Sequence, residues 1–474
     1  MENCSAWMRG DKRKALLVFV AICLQGIIIY LSAVIDNTYY VTHLLNRGIP
    51  NIQVGLIGMI PAIGNILMAF YDFLYYLLHI KKFSLRGVGI IVMATMIVNC
   101  AGQGVVEYLP KEYNHLLSAV LMLLKLFQGI LIFLCCKVYV EECSVWFPDH
   151  VTLILGLVVS TNYIGGATAI LMGGYLYDLL SFNEPYLIAS LICAVCLLFS
   201  FFVLPPTSDP LYRKAKGEGN DDKDDHENAQ SATVEETTEN SGVTKEKGLT
   251  WLVIFPLVAH GLCAISEGFI SAITTPYLQD EFGMEISQGS SYVFVMYIAF
   301  IIGSTVAGYV LQMGWVSPFK TMGTGSALAM IGLLLMFPGQ GSKEFYDLVP
   351  ELAYLGNVFI GIGNQFISIA ALEALEVTHV TIAGREYTGK SKSLAESLWI
   401  LGWWISIYVG HLLTLMVMKY MTFTTGGWLV AGCSGLSVCF CAVFEVWTIR
   451  SSRSLVVTPV EPSPSLIISN QTVL

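Results

Sequence analysis

Long apolar stretches follow one another along almost the whole chain. Twelve of them run for about 20 residues each: 15–35, 54–79, 87–109, 116–140, 151–177, 184–204, 250–275, 291–312, 319–338, 349–374, 395–418 and 427–449. A helix crossing about 30 Å of hydrocarbon needs roughly 20 such residues. The apolar character is continuous within each stretch rather than alternating, so helices are expected and not a barrel. Only one long polar run interrupts the series. Residues 206–249 carry Asp221-Asp222-Lys223-Asp224-Asp225 and Glu235-Glu236, with six apolar segments before them and six after. The expectation is an all-α integral membrane protein with twelve transmembrane helices in two six-helix bundles. Its parts are an N-terminal half at 1–205, a disordered acidic linker at 206–249, a C-terminal half at 250–450 and a disordered tail at 451–474. The first segment reads as a span rather than a cleaved signal peptide, because Asp36-Asn37-Thr38-Tyr39-Tyr40 follows it instead of a small-residue cleavage pattern.

Composition agrees with that picture and adds an orientation. Hydrophobic residues make up 55% of the 474 and charged residues 13%, outside the balance of a soluble domain. With the N-terminus in the cytosol, nineteen Lys and Arg fall in cytosolic segments and four in segments on the opposite side. Both termini and the central run are therefore expected to be cytosolic. The formal net charge of −10 comes largely from the linker and is no argument for a cationic partner or for nucleic acid.

Ten of twelve cysteines lie inside apolar segments, and only Cys4 and Cys143 lie outside. That pattern fits small packing residues rather than a disulfide framework or a metal site. The pair Cys193 and Cys196 has no matching Cys or His pair and reads as packing. No phosphate-cradling Gly-rich loop ending in Lys-Ser/Thr is present, so ATP-driven pumping is not expected. No cofactor and no metal are expected. The sequons at Asn3 and Asn470 fall on expected cytosolic tails and should stay unmodified.

Several polar residues lie deep in these segments. Segment 4 contains Lys125-Leu-Phe-Gln128-Gly129; an ammonium near the bilayer centre costs a few kcal/mol, so Lys125 should face the interior and have a partner. Segment 5 holds Gly165, Gly173 and Gly174 among other small residues, a spacing that lets helices approach closely. In segment 7, Glu267 has His260 seven residues before it and Ser271 four after, on one stripe. Glu267 is the leading proton or cation site, because its ionised form is expensive in lipid unless paired or hydrated. Glu373 and Glu376 near the end of segment 10 and Glu396 at the start of segment 11 serve equally well in interfacial ion pairs with Arg385 or Lys392, and Asp72 is a secondary candidate. Glu396, Trp403 or Trp404, Tyr408 and His411 share a face of segment 11. Aromatics there could stack on a cation, although at helical spacing they more often face lipid or pack.

The segment-4 motif resembles the Arg-x-x-Gln-Gly of facilitator proteins, with Lys125 in place of the Arg. Phe147-Pro148-Asp149-His150-Val151 leading to Leu155-Gly156, then Gly173-Gly174-Tyr175-Leu176-Tyr177, Pro185-Tyr186, Leu204-Pro205 and Ser208-Asp209-Pro210 resemble the vesicular amine transporter family of the major facilitator superfamily. The nearest likeness is to its vesicular polyamine transporter branch. The resemblance implies substrate binding between two halves near the midplane and exchange of luminal protons for cytosolic cationic amines. The chain also departs from the pattern. Leu74 to Lys82 keeps the positive charge of the loop between the second and third helices but loses its Asp and both Gly. The places of the family's carboxylates in helices 1, 10 and 11 hold Gln25, Gln365 and Ile400, and its helix 7 acid falls at Ser271. An amide hydrogen-bonds a substrate but neither neutralises a cation nor carries a proton.

These readings converge on a secondary active transporter, not an enzyme, working as a monomer in the bilayer of an intracellular vesicle or the plasma membrane. The expected partners are lipid, a small-molecule substrate and protons, and the expected cargo is a polyamine or monoamine-like cation. Glu267, Lys125, Gln25, Gln128, Ser271, Gln365, Glu373 and Glu396 are the candidate substrate or proton sites. Two alternatives stand beside this one: a carrier of neutral or anionic solutes using Lys125, favoured by the amides at 25 and 365, and a non-transporting receptor-like relative, motivated by the degraded loop motif.

Overall fold

A computed structural model describes residues 12–78, 85–147, 150–203, 251–338, 348–383 and 389–456. The linker from 206 to 249, both sequons, Cys4, Arg385 and the tail beyond Val456 lie outside them. Among the described residues the long helices are α1 (Lys12–Val34), α2 (Asn51–Leu78), α3 (Leu85–Val106), α4 (Asn114–Trp146), α5 (Val151–Leu179) and α6 (Asn183–Val203). They continue with α7 (Ile254–Phe282), α8 (Ile286–Gln312), α9 (Pro318–Met336), α10 (Val349–Val377), α11 (Gly389–Tyr420) and α12 (Phe423–Val456). All twelve contain a stretch long and apolar enough to cross a membrane. The side on which α1 begins and α12 ends is the terminal side; the other is the distal side.

Helix ends follow local chemistry. α7 stops at Gly283, whose φ of 66° is left-handed and open to glycine without a Cβ penalty. Two residues later Glu285 and Gln288 form a capping box that starts α8. Ser317 caps α9 and Pro318 follows at its first position. α4 and α12 both outrun the expected segments. Cys143 therefore lies inside α4 and is fully buried, and α12 carries the chain in helical form past Arg450 to Val456, so the tail expected to be disordered from 451 begins as helix. The continuous i→i−4 ladder accepts the polar residues at these ends, which the apolar count alone excluded.

The helices pack as two bundles, α1–α6 and α7–α12, joined along two seams, α5 against α8 and α2 against α11. Packing within the first bundle and along the α5–α8 seam depends on small residues. A Cβ on Gly165 would meet the Ile27 carbonyl oxygen of α1, and one on Gly173 would meet that of Ile35, so these glycines let α5 lie on α1. A Cβ on Gly174 would meet Ser290 Oγ of α8, across the seam. Near the terminal end of that seam, Ser160 Oγ lies 2.7 Å from both Ser304 Oγ and Thr305 Oγ. Such van der Waals and hydroxyl contacts replace the hydrophobic drive that lipid does not supply.

Candidate substrate cavity

A cavity enclosing about 860 Å³ of empty space, its opening included, lies between the bundles and extends toward the distal side. The first bundle lines it with Tyr30, Asp36, Tyr40, Lys125 and Gln128, and the second with Glu267, Ser271, Tyr297, Trp404, Tyr408 and His411. Asp36 enters because α1 ends at Val34. The next residues turn, Asp36 takes the backbone N–H of Tyr40 on its own carbonyl, and its side chain is left pointing inward, 1% exposed. Lys125 Nζ donates to Asp36 Oδ2 at 2.8 Å and the Tyr186 hydroxyl donates to the same oxygen at 2.6 Å. The ammonium also sits 5.3 Å from the centre of the Tyr40 ring. A lone lysine at this depth would be expensive; here Asp36, in the turn after α1, neutralises it, and Tyr186 of α6 holds the carboxylate in place. Gln128, one turn on, donates to the Ser32 carbonyl at 3.1 Å and accepts from Gln103 at 3.3 Å, so its amide is committed to α1 and α3.

Glu267 faces the cavity from α7 and is 3% exposed. Its polar neighbours are Tyr30, Tyr163, Tyr297 and Trp403, and no Lys or Arg pairs with it among the described residues. Ser271, one turn farther, lies 3.1 Å from His411 Nε2. At mid-height a cluster of rings closes the cavity: Tyr163 lies 5.0 Å from Tyr30, 4.4 Å from Phe300 and 5.7 Å from Tyr297, centre to centre. Gln365 on α10 donates to the Tyr163 hydroxyl at 2.7 Å and ties the cluster across the bundles.

A second cavity, also of about 860 Å³ with its opening, lies on the terminal side and is lined by Thr152, Gln312, Glu373, Glu376, Lys392 and Glu396. Beside it Lys137 of α4 reaches into the opposite bundle. Its Nζ donates to the Ser393 carbonyl at 2.6 Å, to Ser393 Oγ at 2.7 Å and to Ser397 Oγ at 2.9 Å. Glu396 Oε2 and Asp72 Oδ2 stand 3.6 and 3.7 Å away, and the Ser397 hydroxyl donates to Asp72.

The family model of the Major Facilitator Superfamily matches residues 15–384. The chain belongs to that superfamily. It is a multi-pass membrane transporter with the facilitator fold. No curated protein matches the chain significantly. In this facilitator the candidate residues divide by place. Glu267, Ser271, Lys125 and Gln128 line the central cavity, while Glu373 and Glu396 line the terminal one. Gln25 and Gln365 line neither, although both are buried, and Gln365 spends its donor on Tyr163.

Other expectations are corrected by the packing. His260 shares a helix with Glu267 but does not reach the cavity; its ring stacks on Trp399 at 6.3 Å and meets the edge of Trp403 at 5.7 Å. Two turns of helix drift by about 20° against a seven-residue repeat, and the α7–α11 crossing decides which side chain faces inward. Trp403, Trp404 and Tyr408 are 5 to 6% exposed, so none faces lipid. Glu396 pairs with Lys137 of the other bundle at 3.6 Å while Lys392, its neighbour on α11, lines the same cavity; Arg385 lies outside the described residues. Asp36, Tyr186 and Lys137 were absent from the sequence candidates. The available signal was the demand of a deep lysine for a carboxylate at equal depth.

Proposed function

We propose that this facilitator moves small organic cations by alternating access, exchanging them for protons at Glu267. The terminal side is cytosolic in this reading, the distal side is luminal, and the membrane is that of an intracellular vesicle. The observation that carries it is that, among the described residues, Glu267 is the cavity's one carboxyl without a cationic side-chain partner. Lys125 and Asp36 cancel each other, which leaves the cavity one negative charge when Glu267 is ionised. Around it stand the rings of Tyr30, Tyr40, Tyr297, Trp404 and Tyr408, whose faces attract a cation in a dry site. The resemblance of α4–α6 to vesicular amine transporters supports the same cargo and the same coupling ion.

Protonated, Glu267 is neutral and tolerable in the closed cavity; ionised, it needs the substrate's charge. One carboxyl that holds either a proton or a cation, never neither, is sufficient for exchange between the two. The alternative of an anionic solute loses its support, because Asp36 occupies the lysine that would bind it. The test is uptake of labelled spermidine and of a labelled monoamine into liposomes with and without an inside-acid gradient. Gradient-driven uptake of either is expected, and absent or gradient-independent uptake of both contradicts the proposal.

A further inference from the structure

Lys137 is held like a ligand. Its ammonium has three N–H donors, and α11 presents three oxygens to it at 2.6, 2.7 and 2.9 Å: the Ser393 carbonyl, the Ser393 hydroxyl and the Ser397 hydroxyl. The Glu396 carboxylate, 3.6 Å off, supplies the charge. Three converging acceptors with one carboxylate suit a primary ammonium. A planar guanidinium fits that geometry poorly, and a quaternary ammonium has no donor to offer. The cradle comes wholly from the second bundle, whereas Lys137 and its other neighbour Asp72 belong to the first.

We infer that this α11 cradle is a binding site for a primary ammonium group, filled by Lys137 while the bundles are closed on the terminal side and by the substrate when they part. Parting withdraws Lys137 with α4 and leaves it beside Asp72, 3.7 Å away, so the first bundle keeps a neutral pair. The cradle is left with the Glu396 charge and its three oxygens. The terminal cavity leads to it, and among the described residues its lining sets Glu373, Glu376 and Glu396 against Lys392, so the described carboxylates outnumber the described cations there. An incoming ammonium thus replaces an internal one. The exchange lowers the cost of breaking the latch, because neither the lysine nor the glutamate is left alone. This inference rests on the cation reading above and narrows its substrate to amines with a primary ammonium end.

The test is chemical rescue in full-length protein in nanodiscs, read by deuterium exchange over residues 137–146 and 391–400. Lys137→Ala is expected to raise exchange in both segments by at least about tenfold, since it leaves Glu396 buried without its partner. Millimolar ethylammonium should return exchange toward the unsubstituted level, tetramethylammonium should not, and adding Glu396→Gln should abolish the rescue. Failure of ethylammonium to protect, or equal protection by tetramethylammonium, would overturn the site. Should the alanine variant not fold, Lys137→Ser carries the same comparison. The readout is occupancy and needs no transport, so absent cation uptake by the unsubstituted protein would sink the transport reading while leaving this result to stand or fall by itself.

Discussion

Two lysines twelve residues apart on α4, about 18 Å along the helix axis, solve the same problem in opposite ways. Lys125 finds Asp36 and Tyr186 within its own bundle. Lys137 finds Ser393, Ser397 and Glu396 in the other bundle. The first pair survives any rigid rocking of the halves, because nothing in it moves relative to anything else. The second must break whenever the terminal side opens. A buried ion pair within a rigid body therefore contributes to the fold, whereas the same chemistry across a moving seam sets which conformation is populated.

Substitutions should separate those two roles. The largest effect is expected from Lys125→Met, which leaves Asp36 without its cation at 1% exposure, with the Tyr186 hydroxyl alone to serve it. Breaking a buried pair on one side costs about 3–5 kcal/mol, and thermal unfolding in detergent would show it as a large fall in Tm. The double change Lys125→Met with Asp36→Asn should recover most of that loss. Gly268→Val comes next. A Cβ there would lie 1.9 Å from the Ile407 carbonyl oxygen, so α7 and α11 must separate within one bundle. Overpacking of this kind costs about 1–3 kcal/mol and should also appear in Tm. Gln365→Leu is the mildest. It removes one hydrogen bond across the seam, worth about 1 kcal/mol, and should barely alter Tm while raising deuterium exchange around Tyr163. A large fall in Tm with Gln365→Leu, or none with Lys125→Met, would erase the distinction between bundle and seam.

Most of the fold could be read from apolar run lengths, because the bilayer imposes one length on every span. The depth of Lys125 and Glu267 could be read as well. Their partners could not. Asp36 looked like a polar flank of the first span, and only the turn after Val34 aims its carboxyl inward. Lys137 passed unnoticed, since its oxygens come from α11 more than 250 residues away, and one of them is a backbone carbonyl with no side-chain signature. His260 and Glu267 shared a stripe on paper, yet the crossing with α11 placed one behind Trp403 and the other in the cavity. Periodicity gives the face of a helix; the rotation of that face within a bundle is set by glycine contacts such as those of Gly268 and Gly410.

The central claim is that Glu267 carries the substrate's charge. Equilibrium binding of a labelled monoamine and of labelled spermidine to purified Glu267→Gln, compared with the unsubstituted protein at the same pH, addresses it most directly. Loss of a charge-assisted contact in a dry cavity should weaken binding of the transported amine by at least about tenfold, with Tm unchanged or raised because a buried carboxyl with no cationic side chain beside it is gone. Equal affinity in the two proteins for every amine that the unsubstituted one binds would contradict the account.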